Sequence, residues 1–244
     1  MSEWFDTWFE TSEYLEIYSH RNEEDAEKLS NLISSQIPGD GNKSVLDLCC
    51  GAGRHSLLFA KKGFSVTGID LSANLLDHAR HRAAAENLKV NFIRSDIRNL
   101  DYFNSFDIIV NLFTSFGYFE SDEQNFSILR AINNALKPEG WFIIDFFNAD
   151  YLRNNLVPQS YRKYENYAIE QRRSISQNRV IKEIKITDAQ NVRRYFESVR
   201  LYTPDELTSA LESEGLTMKK IFGDYSGNPL TKASERLIIF AQKS

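Results

Sequence analysis

The segment VLDLCCGAGRH, at residues 45–55, constrains the fold of this chain more than any other stretch. It begins as an apolar run typical of a buried strand, passes through a turn with two glycines and leads into a helix. A second strand-like run follows at residues 64–70 and ends at Asp70. Glycines let a ligand approach the backbone, a helix N-terminus offers free N–H groups, and a carboxylate at the next strand tip can accept from two ribose hydroxyls. The arrangement therefore predicts a nucleotide-binding unit.

The residues around the glycines distinguish between nucleotides. The dinucleotide fingerprint G-x-G-x-x-G needs a third glycine, but Ser56 occupies that position. Asp47 lies on the strand itself, where a carboxylate would repel a pyrophosphate and favour a ligand with an ammonium and a sulfonium group. The segment therefore favours S-adenosylmethionine over NAD. Two glycines alone are also typical of a tight turn without a ligand, so the prediction depends on their combination with Asp47 and Asp70.

With these motifs the chain resembles the class I S-adenosylmethionine-dependent methyltransferases, over about residues 40–150 and more loosely beyond. The alternation of strands and helices predicts an α/β fold with a doubly wound, mostly parallel sheet. The resemblance implies a Rossmann-like sheet of seven strands that ends in an antiparallel hairpin. Residues 160–201 break the alternation and predict three antiparallel strands inserted between strand five and the last helix. We expect an N-terminal helical lid at 1–38, a cofactor-binding core at 39–150 and 201–244, and an inserted sheet at 151–200.

Local signals predict where the elements begin and end. Ser72, Ser121 and Thr203 are expected to cap the N-termini of three helices. The segment Lys137–Gly140 is expected to separate a helix from the fifth strand. The predicted strands are 44–49, 64–70, 90–94, 106–112, 141–147, 218–225 and 236–242.

The resemblance assigns cofactor-binding roles to residues at successive strand tips. Asp47, Gly51 and Gly53 would surround the methionine part, and Asp70 would bind the ribose hydroxyls. Asp96 would accept from the adenine amino group, and the N–H of Ile97 would donate to the ring. The full set of implied cofactor-binding residues is Tyr18, Arg21, Asp47, Cys50, Gly51, Gly53, Asp70, Leu71, Asp96, Ile97, Asn111 and Phe113.

The fourth strand ends in NLFTSFGYF, at residues 111–119, a segment that lies beside the methyl group in similar enzymes. DNA amino-methyltransferases carry Asn/Asp-Pro-Pro-aromatic there, whereas this chain has no proline after Asn111. The difference disfavours a nucleobase acceptor. The pattern is closer to small-molecule enzymes such as sugar N,N-dimethyltransferases and glycine N-methyltransferase.

Two N-terminal residues are implied to contact the cofactor in the same way. Tyr18 would face the sulfonium, and Arg21 would pair with the methionine carboxylate. An amphipathic packing helix with a surface arginine explains this segment equally well.

The sequence does not identify the catalytic residue, and Tyr118 and His55 are the candidates for a general base. An amine that arrives deprotonated needs no base, whereas a hydroxyl acceptor does. His78 and His81 are three residues apart on a predicted helix, but they have no third ligand nearby, so no metal site is predicted.

Charge and cysteine content limit the partners and the location. The 244 residues carry a net charge of −5, yet residues 151–200 hold eleven Lys/Arg and five Asp/Glu, a balance of +6. A solvated sheet surface explains this excess better than an anionic partner. Cys49 and Cys50 are adjacent and are expected to be reduced thiols, and the first residues do not resemble a signal peptide. We expect a cytoplasmic protein with a small-molecule substrate, without nucleic acid or membrane, and leave a homodimer open.

These observations predict in-line methyl transfer from S-adenosylmethionine to an amine or hydroxyl of a small molecule. Two alternatives remain. One is an RNA or protein methyltransferase that uses the basic segment 151–200, and the other is a cofactor-binding scaffold without catalysis. An NAD-dependent oxidoreductase is disfavoured by Asp47 and by the missing third glycine.

Overall fold

The computed structural model describes residues 3–18, 23–37 and 42–244. Over these residues the chain forms eight helices, which are α1 (Trp4–Trp8), α2 (Ser12–Ile17), α3 (Glu23–Gln36), α4 (Arg54–Lys61), α5 (Ala73–Ala85), α6 (Asp122–Ala135), α7 (Ala149–Asn155) and α8 (Pro204–Ser213). It also forms eleven strands, which are β1 (Ser44–Leu48), β2 (Ser65–Asp70), β3 (Val90–Arg94), β4 (Phe106–Asn111), β5 (Leu136–Phe147), β6 (Gln159–Lys163), β7 (Tyr167–Ser176), β8 (Arg179–Asp188), β9 (Val192–Arg200), β10 (Leu216–Phe222) and β11 (Arg236–Lys243).

A seven-stranded sheet forms the centre of the molecule, in the order β10-β11-β5-β4-β1-β2-β3. Neighbours from β5 to β3 are parallel, and β11 is antiparallel to both β5 and β10. The strand order reverses direction between β4 and β1, which is where ligands bind in open α/β sheets. The predicted fold class is confirmed.

Helices cover both faces of this sheet because its strands are apolar on both sides. In β1, Val45 packs with α3 and α4, whereas Leu46 and Leu48 pack on the opposite face with α6 and α8. Successive side chains of a strand point to opposite faces, so a strand between two helix layers needs a continuous apolar run. The run at residues 45–48 therefore specifies a central strand.

The predicted helix caps are confirmed. Ser72 accepts from the N–H of Leu75, and Ser121 accepts from the N–H of Gln124. Thr203 and Glu206 form a capping box at α8, with Pro204 in the first turn.

The fifth strand begins earlier than predicted, at Leu136 instead of Trp141. Leu136 pairs with Phe106, so the segment that was expected to be a break belongs to the strand. Lys137 donates to Asp107, and Lys243 donates to the carbonyls of Asn133 and Leu136 at the end of α6. These contacts with distant residues are not visible in the local sequence.

The inserted sheet has four antiparallel strands, β6 to β9, so the prediction of three was wrong. The additional strand β6 lies at the edge of this sheet. It is polar and its sequence lacks the alternation of apolar and polar residues that would have predicted a strand. A tight turn joins β7 to β8, and both of its residues, Gln177 and Asn178, have positive φ. The short helix α7, which Asn148 caps, was not predicted.

The N-terminal helices connect the two sheets. Trp8 and Ile17 are buried against Ile169, Ile184 and Ile186 of the inserted sheet, whereas Phe5 belongs to the core of the large sheet. No helix within the described residues is long and apolar enough to cross a membrane. The predicted division into a lid, a core and an insertion remains a prediction.

The start of β4 offers a test of how the sheet is held at the edge away from the strand tips. Oδ2 of Asp107 accepts from the N–H and hydroxyl of Ser44 at 2.8 and 2.7 Å and from Lys137 at 2.8 Å. Burial opposes ionisation, but these donors outweigh it and lower the pKa of Asp107 to about 2. The ionised carboxylate thus stabilises the fold above pH 4, and the effect is lost as the pH falls toward 2.

We expect Asp107→Asn to lower the free energy of unfolding at pH 7 by about 2 kcal/mol. Urea unfolding at a series of pH values measures the difference from the parent protein, which should shrink between about pH 4 and pH 2. A difference that does not change with pH would contradict the assignment.

Candidate active site

A cavity of about 280 Å³ lies at the C-terminal ends of β1 to β4. Its floor is built from the turns that follow these strands, and its wall includes residues of α1 and α2. The carboxyl ends of parallel strands meet at one edge of a sheet, so the predicted motifs are brought together here. The sequence-predicted residues that line the cavity are Tyr18, Asp47, Cys50, Gly51, Asp70, Leu71, Asp96, Ile97 and Phe113, with the base candidates Tyr118 and His55.

The first turn is left-handed at three positions, with φ of 57° at Cys49, 55° at Gly51 and 75° at Gly53. Gly53 is not among the residues that line the cavity. A Cβ at this position would lie 2.9 Å from the side chains of Ala79 and Phe92. Gly53 therefore lets α4 approach α5 and β3 closely, a packing role that differs from the predicted contact with methionine.

Asp47 is 2% exposed and accepts a hydrogen bond from the hydroxyl of Ser56 at 2.6 Å. Burial raises the pKa of Asp47 to about 7, and the nearby charge of Asp70 adds to the increase, whereas the bond from Ser56 opposes it. Ser56 occupies the position of the missing third glycine. The sequence showed that the glycine was absent, but it did not show that the serine supports Asp47.

Asp70 ties the end of β2 to two other segments. Its Oδ2 accepts from the N–H of Gly51 at 2.8 Å, and its Oδ1 accepts from the N–H of Ser72 at 2.9 Å. Burial raises the pKa of this carboxyl, although the backbone donors oppose the change. A carboxylate can accept about four hydrogen bonds, so these bonds are compatible with further donors from a ribose.

Asp96 is paired with Arg98, which the sequence analysis missed. The two oxygens of Asp96 accept from the N–H and the guanidinium of Arg98 at 2.5 to 3.0 Å. Burial would raise the pKa of Asp96, but these bonds and the positive charge outweigh it and lower the pKa. Arg98 also pairs with Glu3 at 2.8 Å and lies over the ring of Phe119. Asp96 is therefore ionised and fixed beside the cavity.

Asn111 is buried and is not among the cavity-lining residues. Its amide donates to the carbonyl of Ser115 at 3.3 Å, so it shapes the loop after β4. Phe113, two residues later, lines the cavity.

The inserted sheet holds Tyr18 against the cavity. The hydroxyl of Tyr18 donates to Glu197 at 2.5 Å, and the indole N–H of Trp8 donates to the same oxygen at 2.8 Å. Lys182 donates to the Tyr18 hydroxyl and lies over its ring at 4.4 Å from the centroid. Two residues of the insertion therefore position an N-terminal side chain. Arg21, the other N-terminal candidate, lies outside the described residues.

Glu10 is a second N-terminal contact that the sequence did not reveal. Its carboxylate accepts from the N–H groups of Ala73 and Asn74 at 2.9 and 3.1 Å, in the first turn of α5. A carboxylate is favourable at a helix N-terminus, and here it attaches the segment between α1 and α2 to the helix that follows Asp70.

Acidic side chains dominate the charge of the cavity. Asp47, Asp70, Asp96 and Glu23 line it, together with Arg54 and Arg82. Arg82 pairs with Glu23 at 2.9 Å. The buried carboxylates suit a ligand with positive charge and hydroxyl donors better than they suit a diphosphate.

Comparison with known proteins identifies the domain that carries the cavity residues of β1 to β4. Residues 45–140 match the model of the methyltransferase domain. These residues are a methyltransferase domain. The predicted recognition, enzyme class and cofactor, a methyltransferase that uses S-adenosylmethionine, are confirmed at this level. The acidic cavity fits this cationic cofactor.

Similar proteins cover most of the chain, beyond the matched domain. The protein YqeM of Bacillus subtilis is 26% identical over 96% of this chain and 95% of its own length. A dTDP-3-amino-3,4,6-trideoxy-alpha-D-glucopyranose N,N-dimethyltransferase of Streptomyces venezuelae is 25% identical over 84% of this chain and 88% of its own. Among solved structures, an S-adenosylmethionine-dependent methyltransferase of Clostridium acetobutylicum superposes with a TM-score of 0.80 at 22% identity, over 95% of this chain and 98% of its own.

The raised pKa of Asp47 predicts how binding of S-adenosylmethionine to the methyltransferase domain depends on pH. A cationic ligand favours the ionised form of the carboxyl, so we expect the affinity for S-adenosylmethionine to increase from pH 6 to pH 8. Asp47→Asn should remove this contribution and weaken binding about tenfold at pH 8.

Calorimetry of both proteins at each pH measures this effect. The ligand's own groups titrate equally in both, so the difference between the two curves reports Asp47. Parallel curves for parent and variant would contradict the assignment.

Proposed function

We propose that this methyltransferase transfers the methyl group of S-adenosylmethionine to an amine nitrogen of a small molecule. The proposal rests on an aromatic wall of the cavity. Phe5, Phe9, Tyr14, Tyr118 and Phe119 line the cavity there, and the Tyr118 ring lies 5.9 Å from Phe9 and 6.2 Å from Phe5 between centroids.

The packing behind this aromatic wall is consistent with a small-molecule acceptor, because it keeps the cavity enclosed. Trp4 packs edge-on against Tyr118 at 5.1 Å, so α1 holds the aromatic cluster together. The inserted sheet in turn holds Trp8 and Tyr18. An acceptor would therefore enter a walled cavity in which aromatic faces attract a cation and exclude water.

The carboxylates support a definite orientation of the cofactor. Asp70 would accept from the ribose hydroxyls, and Asp96 and the N–H of Ile97 would recognise adenine beside Leu71. Asp47 and Gly51 would lie along the methionine part, near Cys50. Tyr18 would face the sulfonium, and the pairing of Arg21 with the methionine carboxylate stays a prediction.

When bound, S-adenosylmethionine supplies a methyl group on a positively charged sulfur, which is already a good leaving group. The protein then needs to hold the acceptor nitrogen in line with this bond and keep water away. Near-attack geometry of this kind is worth about 7–11 kcal/mol of the barrier. An amine that enters deprotonated needs no strong base, so Tyr118 and His55 act as orienting groups in this proposal.

The amine is favoured over the hydroxyl by two observations. The buried carboxylates and aromatic rings stabilise the positive charge that develops on a nitrogen as it is methylated. The similar Streptomyces venezuelae protein is named for the dimethylation of an amino sugar.

The basic residues of the insertion do not favour the RNA alternative. Several of them pair with carboxylates of this chain, as Arg172 does with Glu170 and Arg193 does with Glu13. Arg179 donates to three backbone carbonyls of residues 117–119. Charges engaged in this way are less able to neutralise phosphates. The homodimer and the cytoplasmic location stay predictions.

The proposal predicts which acceptors are used. We expect release of S-adenosylhomocysteine in the presence of amino sugars, and none above background with the same sugars carrying a hydroxyl in place of the amine. The rate at low acceptor concentration should increase with pH until the amine is deprotonated.

Short peptides and RNA belong in the same screen. Equal turnover of amine and hydroxyl analogues, or transfer to RNA alone, would overturn the proposal. Binding of the cofactor without turnover of any acceptor would favour the scaffold alternative.

A further inference from the structure

The loop after β4 contains a strained turn next to the cavity. Phe113 and Thr114 both have left-handed φ, at 59° and 63°. Residues other than glycine adopt this conformation at an energetic cost, and two in succession persist where surrounding contacts hold them. The contacts that hold this turn come from two distant strands.

Asp145, on β5, satisfies the backbone of both strained residues. The N–H of Phe113 donates to Oδ2 of Asp145 at 2.9 Å, and the N–H of Thr114 donates to its backbone carbonyl at 2.8 Å. The side chain of Asp145 is fully buried. A buried carboxylate requires complete pairing, which makes its geometry definite.

Arg236, on β11, and Tyr225 complete that pairing. Arg236 donates to Oδ1 of Asp145 through Nε at 2.8 Å and to the hydroxyl of Thr114 through Nη2 at 3.1 Å. Nη2 also lies 2.7 Å from Oδ1 of Asp145 as an ion pair. Tyr225 donates its hydroxyl to Oδ2 of Asp145 at 3.1 Å. The carboxylate thus accepts three hydrogen bonds and makes one further ion-pair contact, so both of its oxygens are engaged.

The ring of Phe113 lies between two guanidinium groups. Arg54 is 5.0 Å and Arg236 is 5.7 Å from its centroid. Cations at these distances are attracted to an aromatic face, so they restrict the ring as the turn restricts its backbone.

Phe113 lines the cavity, so the cluster of Asp145, Arg236 and Tyr225 that holds its turn can influence how a ligand binds. In the sheet, β4 lies on one side of β1, while β2 and β3, which carry Asp70 and Asp96 at their tips, lie on the other. If adenosine is held at Asp70 and Asp96, as proposed above, the methionine and methyl end extends toward Phe113.

We propose that Asp145, Arg236 and Tyr225 are positioning residues that fix the Phe113–Thr114 turn and so determine the alignment of the methyl-bearing end of the cofactor. Phe113 is one of the cavity-lining residues, whereas none of these three is among those identified in the described part of the chain. They act through the turn. The inference rests on the proposed orientation of the cofactor.

Asp145→Asn tests this directly. An amide offers one carbonyl oxygen and therefore cannot replace both carboxylate oxygens. We expect the affinity for S-adenosylmethionine to fall about tenfold, while the affinity for adenosine changes by less than about twofold. Calorimetry with the two ligands gives the ratio of affinities, which a general loss of stability would not change selectively.

Asp107→Asn is the matched control, because it alters a hydrogen-bonded carboxylate at the far end of β4, away from the cavity. It should leave both affinities unchanged. Tyr225→Phe and Arg236→Lys remove fewer of the contacts of Asp145. Each should shift the ratio of the affinities for S-adenosylmethionine and adenosine in the same direction, by a smaller factor. They provide the test if Asp145→Asn does not fold.

Two results would overturn the inference. One is an equal loss of affinity for both ligands in the folded variants, and the other is no loss for either. If S-adenosylmethionine binds to the parent protein but adenosine does not bind at millimolar concentration, this result instead contradicts the proposed orientation of the cofactor, with adenosine at Asp70 and Asp96.

Discussion

The hydrogen bonds that the Asp70 carboxylate accepts from Gly51 and Ser72 determine the rest of the site. They join the tip of β2 to the turn after β1 and to the start of α5. One buried side chain therefore fixes the relative positions of these three segments at the cavity. Glu10 extends the network, because it accepts from the hydroxyl of Ser72 and from the next two N–H groups of α5. The N-terminal segment is thereby attached to the part of the core that surrounds Asp70.

Burying acidic groups so close together is unfavourable in the absence of a cation. Burial raises the pKa of both Asp47 and Asp70, and a nearby negative charge adds to the cost of ionisation, from Asp70 at Asp47 and from Glu10 at Asp70. A ligand with a sulfonium and an ammonium group reduces this cost, whereas a diphosphate would increase it. The chemistry that distinguishes S-adenosylmethionine from a dinucleotide is therefore present in the charge of the cavity as well as in the replacement of the third glycine by Ser56.

The sequence predicted the strand-tip residues and the helix caps because these depend on neighbours within a few residues. The apolar run at 45–48 specifies a strand covered on both faces, and Ser72 and Thr203 cap helices with donors three residues away. The supporting contacts could not be predicted in this way. Glu197 binds Tyr18 across 179 residues, and Arg236 binds Asp145 across 91. Polar strand β6 was missed for the same reason, because it forms by pairing with β7.

We propose that the cofactor lies across the strand tips with adenosine at β2 and β3 and its sulfur toward β4. A crystal structure with S-adenosylhomocysteine measures this arrangement directly. We expect both ribose hydroxyls within hydrogen-bonding distance of Asp70, the adenine beside Asp96 and Ile97, and the sulfur on the side of the cavity that Phe113 borders. A ligand in the reverse orientation, or one bound outside this cavity, would contradict this placement of the cofactor.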